Sequence, residues 1–271
     1  MNLLTRITHQ LQAVFPEGEA RAMARIVLED GFGLQLTDVL MGKDSELSAD
    51  DLEKLQNIVT RLLHGEPIQY VMGTARFCGH PFIVRPGCLI PRPETEELVQ
   101  QVLHHPGSVL DIGTGSGCIA ITLALAGHTV TAWDVSEKAL TIARENAQRL
   151  GADVFFEKKD ILHIEHEKRL WDIMVSNPPY VRQSEATTMS PSVLEHEPHL
   201  ALFVPDDDPL LFYRAIGQFA LTHLNDGGKL FLETNQWLGQ ETTELLSSIG
   251  FKDVKLHKDQ FGNNRMISCQ L

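Results

Sequence analysis

Apolar residues recur every three or four positions through residues 1–65 of the chain, with polar residues between them. Spacing of this kind places apolar side chains along one face of an α-helix. The positions that carry the repeat are Leu3, Ile7, Leu11, Val14, Ala20, Met23, Ala24, Val27, Leu28, Leu52, Leu55, Val59, Leu62 and Leu63. Ser48 followed by Asp51 is typical of a capping box that opens the last helix. The pattern predicts a small helical domain at residues 1–65.

The pattern changes at residues 66–90, where apolar residues stand among glycines and prolines. Such a mixture favours short strands joined by turns, so we predict a β-hairpin linker here. Beyond it, Pro93 is followed by acidic residues, an order that suits the first turn of a helix.

Strand-like and helix-like segments alternate after about residue 105. The predicted strands are 109–112, 129–134, 154–156, 173–176, 229–232 and a closing pair at 254–256 and 266–269. The predicted helices are 118–126, 135–150, 209–224 and 237–249. Alternation of this kind predicts an α/β domain with a mostly parallel sheet and helices on both faces, which we assign to residues 91–271.

Composition narrows the class of protein. Hydrophobic residues make up 43% of the chain and charged residues 22%, as in ordinary globular proteins. No apolar run approaches the ~20 residues of a membrane span, and the amino end lacks the features of a signal peptide, so we expect a cytoplasmic protein without membrane contact. The four cysteines form no Cys-x-x-Cys pair, and we expect His163 and His166 to be loop residues rather than metal ligands.

The net charge of −13 helps to predict which kind of molecule the protein binds. Proteins that bind a phosphate backbone usually present a basic face, so the acidic balance lowers the expectation of duplex DNA or RNA binding. It suits a basic protein partner or a cationic cofactor.

A glycine-rich turn follows the first predicted strand of the α/β domain. Its residues are Gly113, Thr114, Gly115, Ser116 and Gly117. A Gly-x-Gly-x-Gly turn alone is weak evidence for any one cofactor, because nucleotide dehydrogenases use a similar turn.

Three acids that lie near predicted strand ends narrow the choice of cofactor. Asp111 before the glycines would repel a pyrophosphate but suits an ammonium or sulfonium group. Asp134 ends the second strand, where it can bind two ribose hydroxyls. Asp160 after the third strand can meet an adenine amino group, with Ile161 against the base. Together these positions fit S-adenosylmethionine.

The segment Asn177-Pro178-Pro179-Tyr180 follows the fourth predicted strand. Two prolines cannot extend that strand, so the chain turns at its carboxyl end, where open α/β sheets bind ligands. We hypothesise that Asn177 Oδ1 and the Pro178 carbonyl accept the two hydrogens of a planar NH2 group, while Tyr180 lies against its plane. These residues are our candidate catalytic and substrate-binding set.

Two features leave alternatives open. Arg92 lies between two prolines, and it is either a solvated residue in a rigid linker or part of the substrate-binding border of the cleft. Residues 181–208 are predicted to form a long polar loop. Its acids, Glu195, Glu197 and 206–208, either meet basic residues of a protein substrate or face solvent.

The chain resembles the protein-(glutamine-N5) methyltransferases, and within them the release-factor glutamine methyltransferases of the HemK/PrmC family. Besides the residues above, the resemblance is carried by Gly65-Glu66-Pro67-Ile68-Gln69-Tyr70, Gly73, Phe77, Leu89-Ile90-Pro91-Arg92-Pro93-Glu94-Thr95-Glu96 and Glu197-Pro198. It covers nearly the whole chain. One departure is that Thr234 and Asn235 follow Glu233, where relatives often have a glycine soon after the acid.

The resemblance implies a class I methyltransferase fold, Rossmann-like with a seven-stranded sheet, and an amino-terminal helical domain that docks the substrate. It implies methyl transfer from S-adenosylmethionine, without a metal, to the glutamine of the Gly-Gly-Gln motif in class I peptide-chain release factors, leaving S-adenosylhomocysteine. By the same resemblance, Gly113–Gly117, Asp134, Ile161 and Asn177 contact the cofactor, and Asn177–Tyr180 hold the glutamine.

Other functions stay open at this point. A glutamine methyltransferase of a ribosomal protein would differ mainly in its docking domain. An adenine-N6 methyltransferase of nucleic acid would need a basic cleft. A catalytically silent scaffold is disfavoured by Asn177 and the glycine turn, and a nicotinamide dehydrogenase by the glycine spacing.

Overall fold

A computed structural model describes residues 2–43, 47–164 and 166–271. Residues 1 and 44–46 of the predicted helical domain, and the residue between Ile164 and His166, lie outside the described residues. The chain divides into two compact units, one of Met1–Thr74 with Ser190–His196 and the other of Ala75–Met189 with Glu197–Leu271. The division at residue 74 falls within residues 66–90, the predicted β-hairpin linker. The start of that range is not a hairpin, because it contains a helix at Ile68–Met72 that belongs to the first unit, and the first strand begins at Thr74.

The elements run as follows. The helices are α1 (Leu3–Leu11), α2 (Glu17–Phe32), α3 (Leu36–Leu40), α4 (Ala49–Leu63), α5 (Ile68–Met72), α6 (Pro93–Leu103), α7 (Cys118–Leu125), α8 (Glu137–Leu150), α9 (Pro191–His196), α10 (Leu211–His223) and α11 (Gly239–Ile249). The strands are β1 (Thr74–Phe77), β2 (His80–Ile83), β3 (Ser108–Ile112), β4 (Thr129–Asp134), β5 (Val154–Lys158), β6 (Trp171–Ser176), β7 (Val181–Arg182), β8 (Phe203–Val204), β9 (Leu224–Glu233), β10 (Lys252–Lys258) and β11 (Asn264–Gln270). Along the described part of the chain, no helix is both long and apolar enough to cross a membrane.

Helices α1, α2 and α4 of the first unit enclose a core built largely from the predicted apolar positions. The capping box is present, because the Asp51 N–H donates to Ser48 Oγ at 3.1 Å and the carboxylate of Asp51 accepts from the Ser48 backbone. Val14 and Leu52 were expected in the core but are exposed, the first because α1 ends at Leu11.

The main sheet of the second unit confirms the predicted α/β class. Among the described residues, seven strands lie in the order β10-β11-β9-β6-β3-β4-β5. Strands β9, β6, β3, β4 and β5 run parallel to one another. Strand β11 runs antiparallel to both β9 and β10, and β10 and β11 are the predicted closing pair. Buried side chains form two clusters of apolar residues against the sheet.

Parallel pairing brings several strand ends to one edge of this sheet. Strand β3 pairs with β4 on one side and β6 on the other, and β6 pairs with β9. The glycine turn, Asp134, Asn177 and Glu233 follow or end these four neighbouring strands. All four features therefore lie along the carboxyl-terminal edge, where ligands bind in open α/β sheets.

A two-stranded hairpin, β1 and β2, is joined to the main body of this unit by a buried amide. Asn146 on α8 is fully buried and accepts from the Ile83 N–H at 2.6 Å. Its Nδ2 donates to the carbonyls of Ile83 and Ser116, at 3.0 and 2.9 Å. One side chain thus links the hairpin to the glycine turn.

The prediction of a long irregular loop at residues 181–208 is wrong. The segment contains α9, two 3-10 helices at Gln183–Thr188 and His199–Ala201, and a parallel pairing of β7 with β8. Backbone hydrogen bonding of this kind satisfies polar groups that a loop would leave to water. The start of the segment is also fixed by Asp206, whose carboxylate accepts from the N–H and hydroxyl of Ser184.

Candidate active site

The glycine turn after β3 adopts a backbone that side chains disfavour. Gly113, Gly115 and Gly117 have φ values of +77°, +57° and +82°. A Cβ at Gly117 would also lie 2.8 Å from Cδ1 of Ile121 and 3.1 Å from Cβ of Ala143, so a larger residue would add a steric cost to the unfavourable φ. The turn therefore leaves open space in front of Gly113 and Gly115, where a ligand can approach the backbone closely, while the N–H groups of Gly113, Thr114, Gly115 and Gly117 donate within the protein.

Asp134 ties the turn to the end of β4. Its Oδ2 accepts from the Gly115 N–H at 2.8 Å, and its Oδ1 accepts from the Ser136 N–H at 2.8 Å. Burial raises the pKa of this carboxyl, while the N–H donors oppose the shift. Each carboxylate oxygen keeps further capacity to accept hydrogen bonds, for example from the hydroxyls of a sugar.

Asp111 is the fully buried acid of the site, with 0% of its surface exposed. Its Oδ2 accepts from Thr114 Oγ1 at 2.6 Å, and its Oδ1 has no hydrogen-bond partner among the described residues. Burial raises the pKa of the carboxyl to about 7. A buried acceptor left without a donor is costly, and a cationic ligand beside it would remove that cost.

Asp160 and Ile161 follow β5, the next strand beyond β4. Asp160 opens a 3-10 helix at Ile161–His163 by accepting from the Leu162 N–H at 2.9 Å, and its other oxygen lies 2.8 Å from Nδ1 of His163. Ile161 is half-buried. In the described part of the chain, no three His, Cys, Asp or Glu side chains converge as a metal site.

The Asn177–Tyr180 corner leaves β6 beside the turn that follows β3. Ser176 Oγ donates to the Ile112 carbonyl at 2.6 Å, which joins the two strand ends. Asn177 Nδ2 donates to Thr95 Oγ1 at 3.2 Å. The hydroxyl of Tyr180 donates to a carboxylate oxygen of Glu233 at 2.9 Å, so the ring is held at its far end.

Sequence reasoning missed Thr95 and Glu233. Thr95 lies in the first turn of α6 and Glu233 ends β9, and their side chains meet at 2.6 Å. Glu233 is 1% exposed, and burial raises its pKa. The acid at the end of a parallel strand marks Glu233 as a candidate. Thr95 lies in the segment Leu89–Glu96 that carries the family resemblance, but no local pattern gave it a role in the site.

Arg92 and Glu197 form an ion pair that corrects one expectation. Glu197 was expected to meet a protein substrate or solvent, but it is 4% exposed. Its Oε1 lies 2.6 Å from Nη2 of Arg92, and its Oε2 accepts from the Ile90 N–H at 3.0 Å. Burial makes this carboxylate depend on those donors, so it braces the proline segment before α6. Arg92 stands three residues before Thr95, and its contact with substrate stays a prediction.

Family models match both parts of the chain. The Methyltransferase small domain matches residues 93–197, and the PrmC N-terminal domain matches residues 2–73. A release factor glutamine methyltransferase of Bacteroides thetaiotaomicron is 46% identical over 276 aligned residues, which cover 99% of each chain. The chain belongs to the release factor glutamine methyltransferase family. A second such relative, of Flavobacterium psychrophilum, is 44% identical and covers 98% of this chain and 97% of its own.

Solved structures share the fold of this family member. A methyltransferase from Pyrococcus furiosus matches with a TM-score of 0.55 at 22% identity, over 79% of this chain and 98% of that chain. The 16S rRNA N2 G1207 methyltransferase of Thermus thermophilus, solved with AdoMet and guanosine, matches with a TM-score of 0.54 at 18% identity, over 73% of this chain and 49% of that chain. These likenesses show the fold, and the family assignment shows an S-adenosylmethionine-dependent methyltransferase, as the sequence predicted.

The residues at the strand ends fit this cofactor chemically. The orphaned Asp111 Oδ1 suits a cationic methionyl group, and the open space in front of Gly113 and Gly115 lets a ligand approach the backbone of the turn closely. Asp134 has the acceptors that ribose hydroxyls need. We predict that Gly113–Gly117 and these two acids hold the cofactor, with Ile161 and Asp160 meeting its adenine.

The raised pKa of Asp111 predicts that cofactor affinity depends on pH. Below about pH 7 the carboxyl is protonated, and above it the carboxylate attracts a cation, so binding releases a proton. From about pH 6 to about pH 7.5, the Kd for S-adenosylmethionine is expected to fall about tenfold. Isothermal titration calorimetry across this range measures the change. Asp111→Asn should bind more weakly with a flattened profile, and an equally steep profile in that variant would assign the dependence to another group.

Proposed function

We propose that this enzyme transfers a methyl group from S-adenosylmethionine to the side-chain nitrogen, N5, of the glutamine in the Gly-Gly-Gln motif of class I peptide-chain release factors. The observation that carries the proposal is the orientation of Asn177. Its Nδ2 is engaged by Thr95, which leaves Oδ1 as an acceptor at the edge where the cofactor residues lie. Together with the Pro178 carbonyl, this acceptor suits a planar NH2 group, which brings two donor hydrogens in one plane, rather than a hydroxyl or thiolate nucleophile.

In this proposal, the Asn177–Tyr180 corner activates a poor nucleophile, the nitrogen of a primary amide. The lone pair of a primary amide nitrogen is delocalised into its carbonyl. When Asn177 Oδ1 and the Pro178 carbonyl accept the two N–H hydrogens, they fix the amide plane and favour the positive charge that develops on nitrogen. Pro179 stiffens the backbone that holds both acceptors. When bound, S-adenosylmethionine would supply the methyl group of its sulfonium and leave as S-adenosylhomocysteine, and one of the two N–H hydrogens held by Asn177 Oδ1 and the Pro178 carbonyl would then be lost to water.

The hydroxyl bond of Tyr180 gives its ring a fixed place beside these acceptors. A ring anchored at its far end can lie over the flat face of the glutamine amide without losing rotamer freedom on binding. We assign it the role of holding that plane. Arg92, which braces the same wall through Glu197, is the candidate for contact with the backbone of the substrate loop.

Release factors are proposed as the substrate because of the relatives, which are named as release factor glutamine methyltransferases over nearly their full length. The net charge of −13 supports a protein partner with basic residues over a nucleic acid. We assign substrate docking to the helical domain at residues 1–65, chain connection to the hairpin linker at 66–90, and methyl transfer to residues 91–271.

Mass spectrometry tests the proposal directly. Purified enzyme is incubated with isotopically labelled S-adenosylmethionine and a class I release factor, and the modified residue is mapped. The expected product carries one labelled methyl on the Gly-Gly-Gln glutamine, and a release factor with that glutamine changed to alanine stays unlabelled. Ribosomal proteins and nucleic acid from the same cells serve as competing acceptors, and preferential label on either would replace the proposed substrate.

A further inference from the structure

A chain of buried hydrogen bonds runs behind the Asn177–Tyr180 corner. Asn177 Nδ2 donates to Thr95 Oγ1 at 3.2 Å, and Thr95 Oγ1 lies 2.6 Å from Glu233 Oε2. The other oxygen of Glu233 accepts from the Tyr180 hydroxyl at 2.9 Å. Thr95 and Glu233 are almost fully buried, so solvent does not compete for these bonds.

The direction of each bond follows from the chemistry of the carboxylate. An ionised glutamate only accepts, so both hydroxyls give it their hydrogens. Thr95 then has lone pairs left but no hydrogen, and the group facing it must be a donor. Only the NH2 of Asn177 meets that condition. With the opposite amide orientation, Oδ1 would face the oxygen of Thr95 with no hydrogen between them.

The groups around Glu233 act on its pKa in opposite directions, and the net shift is upward. Burial raises the pKa of this carboxyl, and Glu94 adds to the shift, while the two hydroxyl donors and the positive charge of Arg265 lower it. The guanidinium of Arg265 is itself held near Asp259, with Nε 3.4 Å from Oδ2. Each oxygen of the Glu233 carboxylate thus has one hydroxyl donor, from Thr95 and from Tyr180.

We propose that Thr95 and Glu233 are positioning residues that fix the amide orientation of Asn177, so that its oxygen and not its nitrogen faces the substrate. This inference rests on the proposed function, in which Asn177 accepts a hydrogen from a glutamine amide. An inverted Asn177 would set donor against donor at the reacting nitrogen. The same carboxylate fixes the Tyr180 ring, so one buried acid sets both side chains of the corner.

Two substitutions at Thr95 test this role. Thr95→Val keeps the shape and removes the hydroxyl, and Thr95→Ser keeps the hydroxyl. We expect Thr95→Val to lower kcat about tenfold, because Asn177 Nδ2 loses its acceptor, while the Kd for S-adenosylmethionine changes little. The Tm should fall by several degrees, because the buried Glu233 carboxylate also loses a donor, but the variant should stay folded at the assay temperature. Thr95→Ser should keep kcat within about threefold of wild type. Wild-type kcat in Thr95→Val, or an equal loss in Thr95→Ser, would overturn the inference.

Glu233→Gln tests the far end of the chain. An amide offers one acceptor and one donor group, so one of the two hydroxyls must reverse its bond. We expect kcat to fall at least about threefold, with KM for the protein substrate changing less. Unchanged kcat would remove Glu233 from the proposed role.

A second readout needs no acceptor protein, so it separates this inference from the proposed function. In 15N-labelled enzyme, the side-chain NH2 signal of Asn177 is assigned by its absence in Asn177→Ala. Slow hydrogen exchange of that signal is expected in wild type and Thr95→Ser, and fast exchange in Thr95→Val. If the signal is indifferent to Thr95→Val, the positioning role fails even where methyl transfer is confirmed. If release factors stay unmethylated while the signal behaves as expected, only the proposed substrate is wrong.

Discussion

Replacing Asn177 by alanine is expected to lower kcat roughly 100-fold or more, a barrier increase of about 3 kcal/mol. The variant keeps the backbone of the corner but removes the acceptor proposed to face the amide nitrogen. Because charge develops on that nitrogen only during transfer, the loss should fall on kcat more than on KM for the release factor. Steady-state kinetics with labelled S-adenosylmethionine measure both constants.

A matched control removes a carboxamide that has no part in the corner. Gln148 is exposed on α8, and Gln148→Ala should keep wild-type kinetics. Thermal unfolding and cofactor titration of Asn177→Ala show whether the fold and the cofactor site persist. Turnover near that of wild type in a folded Asn177→Ala variant would refute the assignment of this residue.

Asp134→Ala is expected to weaken S-adenosylmethionine binding roughly 10- to 100-fold, because two charge-assisted hydrogen bonds to ribose hydroxyls are lost. The same change frees the Gly115 and Ser136 N–H groups, so a loosened turn would also lower affinity. Calorimetric Kd values alone do not separate these two causes.

A double-mutant-type cycle separates the loss of ribose hydrogen bonds from the loosening of the turn. One change is Asp134→Ala in the protein, and the other is removal of a ribose hydroxyl from the ligand, by comparing S-adenosylhomocysteine with its 2′-deoxy analogue. Wild type should prefer the intact ribose, and Asp134→Ala should lose most of that preference. If the variant discriminates between the two ligands as strongly as wild type does, Asp134 acts through the turn and not through the sugar.

Local patterns in the sequence predicted most of the sheet and its ligand-binding edge. Strands β3, β4 and β6 each end in a residue or turn that the sequence marks, namely the glycines, Asp134 and Asn177. Their convergence follows from parallel pairing alone, since the carboxyl ends of parallel strands share one edge. Hydrophobic periodicity and the residue types at strand ends are local properties of the sequence, so they could be recognised without knowing the tertiary structure.

The polar groups behind the site could not be predicted in the same way. Thr95 and Glu233 are 138 positions apart, and Arg92 and Glu197 are 105 apart. No local pattern distinguishes a threonine that will meet a buried acid from one that faces water. For the same reason Glu197 was read as an accessible acid, although tertiary packing turns it into an internal brace.

The amide of Asn146 has a consequence for how this part of the molecule loses structure. An isolated two-stranded hairpin is marginally stable in water, and β1–β2 depends on what holds it. The side chain of Asn146 donates to the carbonyl of Ile83 in the hairpin and to the carbonyl of Ser116 in the glycine turn. The hairpin and the turn should therefore unfold together as a single foldon. A substitution that destabilises the β1–β2 hairpin would then also disorder the glycine turn, and so weaken cofactor binding, although no residue of the turn is changed.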